Sequence, residues 1–230
     1  MRQFRLKALI SILGLGLMAG CGNDKRDSYK GLSAQEIFEL AQKHESKENF
    51  KSASRDYEAL EARYPYGQYS DTAQLRLIYA YYKQGDVVQG LAMADRFIRL
   101  HPNHDQVDYA YYLKGMIYHD QHMSLIYRYL PVDRSIRDKD LAEKGVIAFA
   151  EFLSKFPNSK YREEAQEKYN LLHEHVAQYE INVASYYFER RAYVSAIQRA
   201  NYVLAHYACY QSIKEQAKAI IRDSEEKLKL

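Results

Sequence analysis

The sequence has no tryptophan, 4 prolines, 10 glycines and only 2 cysteines in 230 residues. Two cysteines cannot build a disulfide framework, which excludes a small stapled fold. So little proline and glycine excludes collagen-like and linker-like material. A transmembrane helix needs about 20 apolar residues to cross the hydrocarbon; the apolar run Ala8–Met18 spans 11. No charge of one sign dominates. The formal net charge is +3, and Arg2, Arg5 and Lys7 supply all of it, leaving 30 basic against 30 acidic residues beyond position 20. The chain therefore lacks the electrostatic footprint that binding to nucleic-acid phosphates requires. Catalytic signatures are missing too: there is no GxSxG, no phosphate-cradling glycine loop and no HExxH. What is present is ordinary for a globular chain, 47% hydrophobic and 27% charged, apart from 23 tyrosines. The length suits one domain or two small ones with a sizeable core.

A short basic start, an apolar run and small residues read as a secretory signal. Here Ala19 and Gly20 are followed at once by Cys21. That order resembles a bacterial lipobox, with Met18 where Leu is usual. It implies cleavage between Gly20 and Cys21 and acylation of the Cys21 sulfur and the new N-terminus. Each buried CH₂ contributes about 0.8 kcal/mol, and two or more chains hold stably where one does not. A lipid on Cys21 would thus anchor the chain without spanning the membrane. Gly22 is not the Asp that retains such lipoproteins at the inner membrane, which implies the periplasmic leaflet of the outer membrane.

The tether Gly22–Leu32 is polar and aperiodic. Ser33-Ala-Gln-Glu36 then has the form of a capping box. Aligned on Pro65, Pro102 and Pro157, the chain repeats a pattern. Twelve positions earlier stand Ala53, Gly90 and Gly145. Eight earlier stand Tyr57, Ala94 and Phe149, and five earlier Leu60, Phe97 and Phe152. Leu40-Ala41 with His44, Leu77-Ile78 with Tyr81, and Lys114-Gly115 with Tyr118 suit a preceding helix. A fourth copy has Ala184, Tyr187, Tyr193, Ala196, Ala200 and Val203, with Ala208 in place of Pro. Small residues let paired helices approach, and large ones fill the groove between pairs. This is the pattern of tetratricopeptide repeats.

The expected fold is therefore all-α, a superhelical stack of tetratricopeptide-like helix pairs, four to five repeats with the last truncated. Pro65 to Pro102 is 37 residues, Pro102 to Pro157 is 55 and Pro157 to Ala208 is 51, against about 34 per repeat. The first excess falls in an inserted loop, 122–138, between helices expected over Asp108–Gln121 and Lys139–Lys155. The second is assigned to a long helix from about Tyr161 to Glu189. A capping helix is expected from the box Ser212-Ile-Lys-Glu215 to the end. The organisation read from this is 1–20 signal peptide, 21–32 lipidated Cys and tether, 33–107 N-terminal repeats, 108–157 third repeat with its loop, and 158–230 C-terminal repeat and cap.

Several residues could carry function. Tyr64, Tyr66 and Tyr69 cluster in the turn RYPYGQYS. They either pack on the next helix or form a wet aromatic surface for an extended peptide. Arg190 and Arg191 read as solvated turn charges. Arg199 lies three residues past Ala196 and could project from an outer face toward an acidic partner. His119 and His122 stand one turn apart and could share a metal, but are expected to be solvated; His173 and His175 point to different faces. Cys209 reads as a small buried apolar residue.

The runs RYPYGQYSDTAQLRLIYAYYKQGDVVQGLAMADRFIRLHPNHDQVDYAYYLKG, VDRSIRD, FPNSKYREEA and ASYYFERRAYVSAI, together with the lipobox, resemble the BamD family of outer-membrane protein assembly factors. The resemblance implies a non-enzymatic, periplasm-facing lipoprotein of the β-barrel assembly machinery. It implies no cofactor beyond the lipid on Cys21. Its partners would be the periplasmic domains of BamA, other lipoproteins of the machinery and unfolded outer-membrane barrels, with no nucleic acid. Arg199 matches the family arginine implicated in coupling to BamA, and Tyr64 a tyrosine implicated in substrate contact. The family commonly ends with a fifth helix pair, whereas this chain has room for one helix after Ser212. Ala208 replaces the usual Pro, and Arg191 a usual Gly. The competing readings are a tetratricopeptide adaptor in envelope division or pilus and secretin assembly, and a metal-dependent hydrolase using His119 and His122.

Overall fold

The computed structural model describes residues 28–128 and 139–229. The chain divides into two units, Met1–Ser33 and Ala34–Leu230. The described part of the first is a turn, with Gly31 at φ 84° and the Leu32 N–H bonded to the Tyr29 carbonyl.

The second unit is built of helices, with no strand among its described residues. In chain order they are α1 (Ala34–Ser46), α2 (Phe50–Arg63), α3 (Ser70–Gln84), α4 (Val87–Leu100), α5 (Val107–Arg128), α6 (Lys139–Lys155), α7 (Arg162–Glu189), α8 (Tyr193–His206) and α9 (Gln211–Leu228). Each packs on the next, so the chain forms antiparallel pairs α1/α2, α3/α4, α5/α6 and α7/α8, followed by α9. The first helices of successive pairs also meet, α3 with α5, α5 with α7 and α7 with α9. They make one layer of the stack, and the second helices make the other. This is the expected all-α stack of tetratricopeptide-like pairs.

The repeat pattern is the packing code. Tyr57, Ala94, Phe149, Leu60, Phe97 and Phe152 are each completely buried. The small positions are buried as well, and sterics show why they must be small. A Cβ on Gly145 would lie 2.5 Å from Leu172 Cδ1, and one on Gly90 2.9 Å from Ile117 Cδ1. A Cβ on Gly115 would lie 2.5 Å from Phe149 Cε1. In each case a side chain from the neighbouring helix already occupies that volume.

Second helices end alike. The N–H of Tyr64, His101, Phe156 and Tyr207 bonds to the carbonyl of Leu60, Phe97, Phe152 and Val203, respectively. The last of these precedes Ala208, so the missing proline leaves the termination intact. Helix starts differ more. Asn49 and Asp86 cap α2 and α4, their side chains accepting from the Ser52 and Gln89 N–H. The box at Ser212 does not form: α9 begins one residue earlier, behind Tyr210, with no side-chain cap. Helix α5 corrects the loop boundary, since it runs seven residues past Gln121 to Arg128. Nothing between them is a helix breaker, as the next proline is Pro131. The rest of the insertion, 129–138, lies outside the described residues. Helix α7 runs Arg162–Glu189 with Tyr161 as its N-cap, as its glycine- and proline-free sequence dictates.

Candidate functional site

The tyrosines of the turn between α2 and α3 separate into different roles. Tyr66 is 99% exposed and Tyr64 36% exposed. Tyr69 is instead the N-cap residue of α3 and stacks on Phe38 at 4.9 Å. It belongs to the packing of the first pair, and only Tyr64 and Tyr66 remain as a wet surface.

A larger aromatic surface runs across the first-helix layer. Tyr79 and Tyr82 of α3, Tyr109 and Tyr112 of α5, and Tyr161 at the start of α7 form a row. Tyr161 stacks on Tyr109 at 5.1 Å and on Tyr112 at 4.7 Å. Phe50 extends the row, edge-on to Tyr79 at 5.8 Å. Most of these rings are half-buried. Burial first, then neighbouring carboxylates, push the Tyr82 and Tyr112 phenols well above their ordinary range. They stay neutral, and Tyr82 donates to Asp120 Oδ2 at 2.6 Å. Beside the row, Gln42, Glu45, Arg76, Phe50 and Tyr79 line a cleft of about 360 Å³. Glu45 is tied on both oxygens, accepting from Arg76 at 2.9 Å and Tyr57 at 2.8 Å.

Arg199 departs from the expected free outer-face charge. Its Nη1 donates to Glu180 Oε2 at 2.7 Å, so its first acidic partner is within the chain. The side chain is still 36% exposed while Glu180 is 1% exposed. Its guanidinium lies 5.8 Å from the centre of the Tyr202 ring. Tyr187, Ser195, Gln198, Arg199 and Tyr202 line a cleft of about 330 Å³. Tyr186 and Val194 are exposed on α7 and α8, and Arg190 stands over the Tyr186 ring at 5.3 Å. Exposed tyrosine and arginine around a cleft is the composition of a protein-binding hot spot.

The histidines turn inward, against the expectation of solvation. His119 and His122 are 6% and 4% exposed. His122 Nε2 meets His175 Nδ1 at 3.1 Å across the α5–α7 contact. His119 Nδ1 lies 2.7 Å from Asp120 Oδ1; a carboxylate only accepts, so that nitrogen carries the proton. Burial opposes the Asp120 charge, but the bonds from His119 and Tyr82 outweigh it and hold the carboxyl below its ordinary 3.8. Burial lowers the pKa of His175, and that of His173 on the opposite face of α7. His173 Nδ1 bonds the Tyr210 hydroxyl at 2.9 Å. Among the described residues, no group of three or more His, Cys, Asp or Glu is arranged to hold a metal ion. Cys209 is exposed in the α8–α9 turn, contrary to the buried role expected of it. The turn carries it outward while Tyr207 takes the buried place.

Comparison with known proteins decides the family. A family profile described as "YfiO: Outer membrane lipoprotein" matches residues 30–230. The chain is 33% identical over 195 residues to the outer membrane protein assembly factor BamD of Vibrio cholerae, covering 85% of this chain and 80% of that one. To the protein of the same name in Neisseria meningitidis serogroup B it is 33% identical over 216 residues, 91% of this chain and 81% of that one. The chain belongs to the BamD family. The Pasteurella multocida member is 28% identical over 233 residues, covering 100% of this chain and 87% of its own. Gly20 and Cys21, the expected cleavage and lipidation site, lie outside the described residues. Among the described residues no helix is long and apolar enough to cross a membrane.

Sequence reasoning missed several residues of these surfaces in the BamD-family chain. Glu180 is an acid in the middle of a helix with no motif around it, and only its burial marks it. Lys139 was legible as a helix start but not as the partner of a residue 41 positions away. The tyrosine row was visible as an excess of tyrosine, yet its continuity depends on three helices lying side by side.

Proposed function

We infer that this chain is a non-enzymatic binding lipoprotein of the β-barrel assembly machinery. Lipid on Cys21 holds it to the periplasmic leaflet of the outer membrane. It assists barrel folding and insertion by binding BamA at one end and unfolded barrels at the other. The observation that carries this is the family match over residues 30–230, because the relatives bear the name outer membrane protein assembly factor. The geometry supports a division of labour. The α7–α8 surface with Arg199, Tyr202 and Tyr186 has the cleft and residue types of a docking site for a folded domain. The tyrosine row over α3, α5 and the start of α7, with Tyr64 and Tyr66 nearby in sequence, suits an extended chain. Neutral phenols offer area and a hydrogen bond at low entropy cost.

The reading is tested in the cell envelope. The chain purified from membranes should bring down BamA, and Arg199→Glu should remove most of it. Cys21→Ser should release the protein from the membrane fraction. A crosslinker placed at Tyr79 or Tyr161 should capture unfolded barrels. Co-purification of division or secretin components without BamA would replace this reading with an adaptor function.

A further inference from the structure

Glu180 is the most deeply buried carboxylate around the α7–α8 surface, 1% exposed in the middle of a 28-residue helix. A carboxylate in that position is costly unless cations compensate it. Two do, and they come from different helices. Arg199 of α8 donates to Oε2 at 2.7 Å, and Lys139 Nζ, from the first residue of α6, stands 2.7 Å from Oε1. Lys139 is further held by Glu143 at 3.0 Å and lies over the Tyr179 ring at 5.4 Å. Burial opposes its charge, but Glu180 and Glu143 outweigh that and keep it firmly protonated. The same carboxylate thus ties the start of α6, the middle of α7 and the exposed edge of α8. Arg199, with four side-chain torsions, would sample many rotamers if only the Tyr202 ring held it.

We propose that Glu180 is a positioning residue for the Arg199 surface: braced by Lys139, it fixes the guanidinium in one orientation at the wall of the cleft, so that a partner meets a preorganised cation. This rests on the α7–α8 surface being the BamA site. Preorganisation is where the gain lies, since ordering a long side chain during binding subtracts from affinity. Glu180 need not touch the partner at all.

The test uses the full chain and BamA purified in detergent. Glu180→Gln should weaken binding about tenfold, and Lys139→Met, which leaves Arg199 its carboxylate, should weaken it less. In an Arg199→Met background, Glu180→Gln should change affinity by less than about twofold, because its effect passes through the arginine. A full effect in that background, or wild-type affinity for Glu180→Gln, overturns the proposal. A second measurement needs no partner. Nitrogen-15 NMR of the free chain should resolve the two Arg199 Nη groups, because rotation about Cζ–Nε is slow when one is held. In Glu180→Gln they should average. Averaged Nη signals in the unsubstituted chain overturn the proposal even if BamA binds. Resolved signals with no BamA binding support the positioning role and sink the partner assignment instead.

Discussion

Arg191 shows what a single residue tolerates in this stack. It has φ 61°, and it stands five positions before Ala196. The same offset from Ala53 and Gly90 leads to Glu48, φ 55°, and Gly85, φ 77°. Three helix pairs therefore turn through a left-handed residue at one repeat position, and only one of them uses glycine. A side chain there costs about 1–2 kcal/mol in backbone strain, part of which is offset by glycine's greater entropy when unfolded. Arg191→Gly should stabilise the chain by about 1 kcal/mol, read as a higher urea midpoint. A lower midpoint would mean that the arginine makes contacts worth more than the strain. The half-buried histidines of α7 give a second effect at this scale. His173 and His175 titrate below their ordinary 6.5 when folded. The unfolded chain then binds protons that the folded chain refuses, so stability is full above about pH 6.5 and falls as the pH drops below it. Urea midpoints from pH 7.5 down to 5 should show this fall, and His175→Asn should flatten it. A profile that is level across this range would contradict the lowered pKa of these two side chains.

At the scale of helices, α9 packs on α8 and on α7. Ile213, Ala217 and Ser224 are buried, while Glu215, Gln216 and Lys218 face solvent. The turn leading into it is pinned to α7 through Tyr210, whose hydroxyl donates to the Asn170 carbonyl at 3.2 Å and accepts from His173. Burial first, then nearby acidic groups, pushes that phenol to about 12, so it remains a donor at any physiological pH. Tyr210→Phe keeps the ring and removes both bonds, which should cost about 1–2 kcal/mol. Hydrogen exchange in α9 should quicken before that of α7. Unchanged exchange would show that the apolar face of Ile213, Ala217, Ile220 and Ile221 docks the helix without Tyr210.

Across the whole molecule, helices contact mainly their neighbours in the chain, as repeat proteins do. A defect in one pair should therefore spread to adjacent pairs and fade with distance. Gly145→Ala is the cleanest probe, because the new methyl would need the space of Leu172 Cδ1. Overpacking of this kind costs about 1–3 kcal/mol. Exchange protection should fall most in α6 and α7 and least in α1 and α2. Uniform loss from end to end would mean that the stack unfolds as a single unit.

Much of this was already decided by composition and spacing. The recurring small and bulky positions before Pro65, Pro102 and Pro157 dictate helix pairs, because only residues of those sizes let two helices close on each other. The absence of glycine and proline after Asn158 lets α7 run unbroken for 28 residues, while its end at Arg190 and Arg191 falls where no glycine or proline marks it. Tertiary structure alone decided where the charges and rings came to rest. Tyr69 packed on the first pair because Phe38 offered it a face, and His122 turned inward because His175 stood opposite on α7. Arg199 found Glu180 within the chain, although 19 residues separate them. Such pairings depend on which helices become neighbours and on how much water their packing excludes. A linear pattern records periodicity along one helix but not the distance to the next.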